Sequence, residues 1–350
     1  MGQARRPDRM SGPKLLCDWN RIMTPKPFRI ALMSDLHNEF EPPSSPSGAW
    51  FALNTARKKI DKHPKVGPLL DGLAKADLDL VVLAGDIDIG KQGFVYAEKV
   101  AAFLGVPVVY IAGNHEAYKR DLGGTVDDLR ELSLTNADAH FLENDELVLE
   151  KDGRRLHVLG CTRWTDYEVN SKEEKKISGA MHQASRQLND HQLVRYGLKM
   201  LEPFDLRNIH FESRAWLDHE VSRIRADEGE DALILIVTHH APVPEANGEF
   251  VCGDLSPAYA SDLTAEIEKW HPNAWCFGHT HIDFDRTYGR TRVLSSQRGY
   301  TGHEEGADKY EPLVFTLGSS TEAYSLDNAP GEILDELREG FEELSRRDQD

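Results

Sequence analysis

Five times in this chain an apolar run ends in a short polar fragment. FRIALMS (28–34) leads into SDLH (34–37), LDLVVLA (78–84) into GDID (85–88), and PVVYIA (107–112) into GNHE (113–116). ALILIVT (232–238) leads into THHAP (238–242), and AWCF (274–277) into GHTH (278–281). Continuous apolar runs of this length read as strands buried on both faces, as in parallel sheets covered by helices. In such layered α/β folds the carboxyl ends of the strands converge on one edge, where ligands bind. The pattern therefore predicts that Asp35, His37, Asp86, Asn114, His115, His239, His240, His279 and His281 meet in space.

The intervening segments fit this plan. YAEKVAAFLG (96–105) reads as a helix stopped by Gly105, which gives a strand–helix–strand alternation. A hairpin is predicted with its turn at Asp152–Gly153, and a second one between DFDRTYG and RTRVLSS. SDLTAEIEKW (261–270) reads as a helix and PLVFTL (312–317) as a last strand. Residues 28–318 are expected to form the domain that carries these five fragments. Within it 166–230 reads as an inserted, mostly helical lid, with Trp216, Leu217, Val221 and Ile224 on one helix face. Residues 1–27 read as a flexible lead, and 329–350 as an amphipathic helix carrying Ile333, Leu334, Leu337, Phe341 and Leu344.

Composition excludes several classes of function. The formal net charge is −18 and no basic stripe occurs, which argues against nucleic acid as a partner. Cys17, Cys161, Cys252 and Cys276 are scattered without CxxC spacing, so neither a zinc knuckle nor a disulfide framework is indicated. The opening MGQARRPDRMSGPKLLCDWN has no apolar signal core, and no apolar run approaches membrane-spanning length. A cytoplasmic protein with no membrane contact is expected.

Carboxylate, imidazole and amide oxygen together suit borderline divalent metals such as Mn, Fe, Co, Ni or Zn. Seven or so such ligands are too many for one ion, whereas two ions sharing a carboxylate use them naturally. Two divalent ions against Asp35 and Asp86 also leave the site positive, so a phosphate anion can bind inside an acidic protein.

The ordered series D-x-H, G-D, G-N-H-E, H and G-H-x-H, spanning residues 35 to 281, resembles that of the calcineurin-like metallophosphoesterase superfamily. The resemblance implies a four-layer α/β/β/α sandwich with two metals at the sheet edges. Carried over, it gives Asp35, His37 and His281 to the first metal and Asn114, His239 and His279 to the second, with Asp86 bridging. His115 corresponds to the family's non-ligand histidine, which assists the leaving oxygen. THHAP admits two alignments. The one anchored on its threonine selects His239 and leaves His240 to line the pocket, while the one anchored on its proline selects His240. GDIDIG places its second acid, Asp88, one residue early for the partner that orients His115 in the protein-phosphatase branch, and it lacks that branch's arginine. The implied activity is hydrolysis of a small-molecule phosphodiester or phosphomonoester by a metal-bridging hydroxide attacking in line. A Ser/Thr-type protein phosphatase and a non-catalytic, metal-stapled scaffold are the alternatives. Further site elements are expected in CTRWTDY, LNDH and SSQRGY: Arg163 and Arg298 as phosphate clamps, and Asn189 and His191 reaching in from the insertion.

Overall fold

Alternate residues of each central strand point to different apolar layers, which fixes where the sheets lie. In the computed structural model, which describes residues 25–40, 66–250 and 253–318, strand β1 (Phe28–Met33) sends Ile30 and Leu32 into one cluster and Ala31 and Met33 into another. Strand β2 (Leu80–Ala84) divides Val82 from Val81 and Leu83, and β3 (Val108–Ile111) divides Val109 and Ile111 from Val108 and Tyr110. The second set packs under helices α1 (Val66–Leu73), α2 (Lys91–Leu104) and α3 (Leu122–Leu134), through Leu70, Phe94, Val100 and Leu129. The first set meets Val158, Leu235, Val237, Cys276 and Leu294, which belong to a different sheet.

The first sheet has the order β13-β1-β2-β3-β4, with β4 at Ala139–Phe141 and β13 at Leu313–Leu317. Its four strands β1 to β4 are parallel, and β13 closes the edge antiparallel. The second sheet has the order β11-β12-β10-β9-β6-β5. Strands β5 (Asp145–Lys151) and β6 (Arg154–Cys161) form the predicted hairpin, with Asp152 and Gly153 both at positive φ. Strands β9 (Leu233–Thr238) and β10 (Ala274–Phe277) lie parallel at its centre, and β11 (Phe284–Tyr288) with β12 (Thr291–Ser295) makes the second hairpin. Ile234, Ile236, Trp275 and Phe277, on the far face, pack beneath two helices of this half described below. Helices, two parallel-rich sheets and helices again give four layers. Pairing of Met33 with Leu83 and of Ala84 with Ile111 brings the first three polar fragments to one level.

Residues 166–230 contain α4 (Glu174–Gln187), α5 (Asp190–Leu193), a small hairpin β7 (Arg195–Tyr196) and β8 (Lys199–Met200), and α6 (Pro203–Glu228). Helix α6 begins at Pro203, well before Trp216, where the predicted apolar face starts. Glu202 and Asp205 form a capping box around Pro203, a start signal that the apolar periodicity alone does not carry. Its inner face, Leu217, Val221 and Ile224, joins α7 (Thr264–Trp270) over the second sheet. Its first turns contribute Leu206 to a separate cluster with Tyr118, Trp164, Tyr167, Ile177 and Val194. The segment is thus fastened to the GNHE region by apolar packing. The expected lead before residue 25 and the expected helix at 329–350 lie outside the described residues, as do Cys17 and Cys252, while Cys161 and Cys276 are buried free thiols. Among the described residues no helix is long and apolar enough to cross a membrane.

Candidate metal centre

The loops after β1, β2, β3, β9 and β10 interlock through their backbones. Asp35 N donates to Gly85 O, His37 N to Asp86 O, and Gly278 N to His239 O, at 2.9–3.0 Å. Two glycines permit this closeness. A Cβ on Gly113 would collide with the Asp86 carboxylate, and one on Gly278 would collide with Ser34 and the Asp35 carboxylate. The turns are also strained: Asp35, His37, Asp86, His279 and His281 all have φ between 46° and 75°. A non-glycine residue in that region costs of order 1–3 kcal/mol, and such strain concentrates at functional sites.

The side chains held by these turns form two groups of closely spaced ligand atoms. Asp35, His37 and His281 make one, and Asp86, His239 and His279 the other, each with its donor atoms within 4.8 Å of one another. Asp86 lies between them, its Oδ2 3.8 Å from His37 Nε2 and 3.5 Å from His239 Nε2. His37, Asp86 and His115 satisfy the same spacing. Asp35, His37, Asp86 and His239 are almost wholly buried.

The hydrogen bonds around these groups leave lone pairs facing each other. His37 Nδ1 meets Glu39 Oε1 at 3.1 Å, and His281 Nδ1 meets Glu304 Oε1 at 2.7 Å. An ionised carboxylate only accepts, so each Nδ1 carries a proton and each neutral ring turns a bare Nε2 toward the other. Those two Nε2 atoms lie 3.0 Å apart. The second group repeats the arrangement. His239 Nδ1 donates to Ala84 O at 2.9 Å, and the Asn114 amide donates to Asp190 Oδ1 at 2.9 Å and to Tyr118 OH at 3.1 Å. His239 Nε2 and Asn114 Oδ1 are left facing at 3.1 Å. Two ligands at right angles on one ion, each about 2.1 Å from it, sit roughly 3 Å apart. Each pair therefore calls for a positive charge between its members, and the donor set fits a divalent cation. Without metal, protons fill the role. Burial pulls these imidazoliums down, yet the Asp86 charge lifts His239 to about 10, and the bond and charge of Asp35 lift His281 to about 9.

His115 stands beside this centre. Its Nδ1 is 2.8 Å from Glu39 Oε1, the oxygen that also meets His37, and its ring stacks on Tyr118. Its Nε2 is 3.4 Å from Tyr300 OH. Burial lowers its pKa, but the Asp86 charge and the Glu39 hydrogen bond outweigh that and hold it at about 9. Glu39 was not singled out from the sequence. Its only signal is a carboxylate two residues after His37 in the same turn, and it, not Asp88, reaches His115. Glu116 ties the loops from beneath, accepting from Asp86 N, Ile87 N, Gly113 N and Tyr110 OH.

A cavity of about 840 Å³ opens over the centre, floored by Asp86, Asn114, His115, His279 and His281. Tyr118, Tyr259 and Tyr300 line its sides, and the insertion adds Gln187 to Asp190. Of the residues expected to meet substrate, Asn189 lies on this wall. Arg163 corrects an expectation: it is fully buried and donates from Nη2 to His240 O and Ala241 O, bracing the THHAP turn from behind. His240 packs under Trp164 and His279, with its pKa driven well down by burial and by the neighbouring His279 charge. His239, not His240, lies with Asp86 and Asn114. His191 turns inward to Leu201 O, and Arg298 Nη1 donates to Leu36 O; neither is on the cavity wall.

The sequence profile described as calcineurin-like phosphoesterase matches residues 28–283. A comparison with curated proteins finds no match. Among solved structures the fold is similar to the phosphopantetheinyl hydrolase of Mycobacterium tuberculosis, at 13% identity over 82% of this chain and 96% of that one, with a TM-score of 0.58. A dimetal phosphatase from Danio rerio superimposes at 15% identity over 84% of this chain and 97% of that one, with a TM-score of 0.44. The profile covers most of the chain, including every turn of the centre described above, and the chain belongs to the calcineurin-like phosphoesterase family.

Proposed function

We propose that this phosphoric ester hydrolase acts on a small-molecule phosphoester through two metal ions, one at Asp35, His37 and His281 and one at Asn114, His239 and His279, with Asp86 shared. The observation that carries the reading is the pair of facing acceptors, His37 with His281 and His239 with Asn114. When bound, such an ion pair supplies Lewis acidity toward phosphoryl oxygens and acidifies water for in-line attack. The protein's own groups do the rest. Glu39 and Glu304 fix imidazole tautomers, so that the ligand atoms are preset. His115 gives Nδ1–H to Glu39, and the second proton of its imidazolium is on Nε2, beside the cavity-lining Tyr300, from where it can pass to a leaving oxygen. The tyrosine-lined cavity, far larger than a phosphate group, supports a substrate with a sizeable organic substituent.

The test combines binding with turnover. Titrating metal-free protein with Mn²⁺ in weakly buffered solution near pH 7 is expected to load two ions per chain and to release protons, because imidazoles held up to about 9 and about 10 must give up theirs. Loaded protein is then assayed on bis-aryl and mono-aryl phosphates, which separates diesterase from monoesterase. Two ions without turnover of any phosphoester would favour the scaffold, and fewer than two would end the dinuclear reading.

A further inference from the structure

We propose that Asp190, contributed by the insertion, is a positioning residue that aims the Asn114 amide oxygen at the second metal. This rests on the metal-centre reading above. An asparagine amide is nearly symmetric in shape, and it serves a cation only when its oxygen, not its NH2, points inward. On the loop after β3 the Asn114 NH2 meets the Tyr118 hydroxyl, a group that can donate or accept and so does not by itself decide the orientation. The decision comes from Asp190, which lies 76 positions later in sequence and accepts the Asn114 NH2 at 2.9 Å. The same Oδ1 accepts the Tyr118 hydroxyl at 2.9 Å, and the Tyr118 oxygen accepts the Asn114 amide at 3.1 Å. The three groups close a ring in which every donor has one place to go. With the NH2 committed, Oδ1 is left facing His239 Nε2. Asp190 is itself buried, although it borders the cavity.

Of the LNDH fragment, this is the residue through which the insertion meets the centre. Asn189 lines the cavity and His191 turns away to Leu201 O, while Asp190 touches a ligand side chain directly. The insertion is held against the GNHE region by Tyr118, Val194 and Leu206, so docking of this segment and orientation of Asn114 are one event. The chemistry asks only for an acceptor oxygen at position 190, not for a charge.

The test is Mn²⁺ affinity, measured by calorimetry and by electron paramagnetic resonance of the coupled ion pair, on the wild type, Asp190→Asn and Asp190→Leu. Asparagine can present one carbonyl oxygen to both donors, and is expected to keep both ions within about threefold of wild-type affinity. Leucine fills the space without an acceptor, and is expected to keep the first ion but weaken the second about 10- to 100-fold, the usual cost of losing a ligand's orienting partner. High Mn²⁺ should then restore the coupled signal. If Asp190→Leu does not fold, Asp190→Ala carries the same comparison. Equal affinity for the second ion in the wild type and the leucine or alanine variant would overturn the role of Asp190. So would equal losses in the asparagine and leucine variants, which would point to packing alone. A wild type that binds fewer than two ions overturns the metal-centre reading and this inference with it.

Discussion

Asp86→Asn is expected to cost about a thousandfold or more in kcat/KM and to lower metal content from two ions per chain to one or none. The substitution is isosteric, and it spares the backbone. Asp86 sits at φ 53°, a conformation that asparagine tolerates as readily as aspartate. The variant amide can still accept from His115 N, as Asp86 Oδ1 does at 2.9 Å. What disappears is the negative charge from Oδ2, which faces His37, His239 and His115 at 3.5–3.9 Å. That charge holds imidazoliums up in the metal-free protein and is the anionic ligand common to both proposed ions. The variant should therefore retain its circular dichroism spectrum while elemental analysis shows the ions gone. A variant that keeps two ions and full turnover would remove Asp86 from the centre.

The strands and the turns between them were legible because burial on both faces writes itself as an unbroken apolar run, and each run stops at a polar fragment. That is why Asp35, Asp86, Asn114, His239 and His279 are legible in the sequence as strand-end residues, which the loops of the two sheets then bring together. The carboxylates behind the histidines were not legible in the same way. Glu39 sits on a single 3-10 turn and Glu304 on a bend, and their partners are chosen by how the chain folds over the site. Glu39 is two residues from His37 yet also reaches His115, 76 positions away. Arg163 shows the opposite failure. An arginine just past a strand end resembles a phosphate clamp, but positive φ at Arg163 and Trp164 turns the chain so that the guanidinium tucks under the THHAP loop. LNDH is legible as a site fragment, but the contact belongs to the residue between the two expected, because a four-residue helix presents Asp190 to Asn114.

His115→Ala is expected to separate chemistry from metal binding. His115 is spaced to serve as a ligand with His37 and Asp86, so the alternative to its role as an acid is explicit. If it donates a proton, removal should leave both ions bound and lower turnover by about 10²- to 10⁴-fold for an ester with an alkoxide leaving group, which needs that proton. The same variant should lose far less on a nitrophenyl ester, whose leaving oxygen departs as a stable anion. Glu39→Gln sharpens the result. Glutamine keeps an acceptor for His115 Nδ1 but removes the charge that helps raise the imidazole, so the His115 pKa falls below its wild-type position. The acid is active only while protonated, and activity is lost as pH rises through its pKa. The alkaline limb of the kcat profile for the alkoxide ester should therefore move to lower pH in Glu39→Gln and vanish in His115→Ala. Loss of an ion in His115→Ala, with equal damage to both esters, would instead make His115 a ligand and turn the search for the acid to the Tyr300 hydroxyl, 3.4 Å from its Nε2.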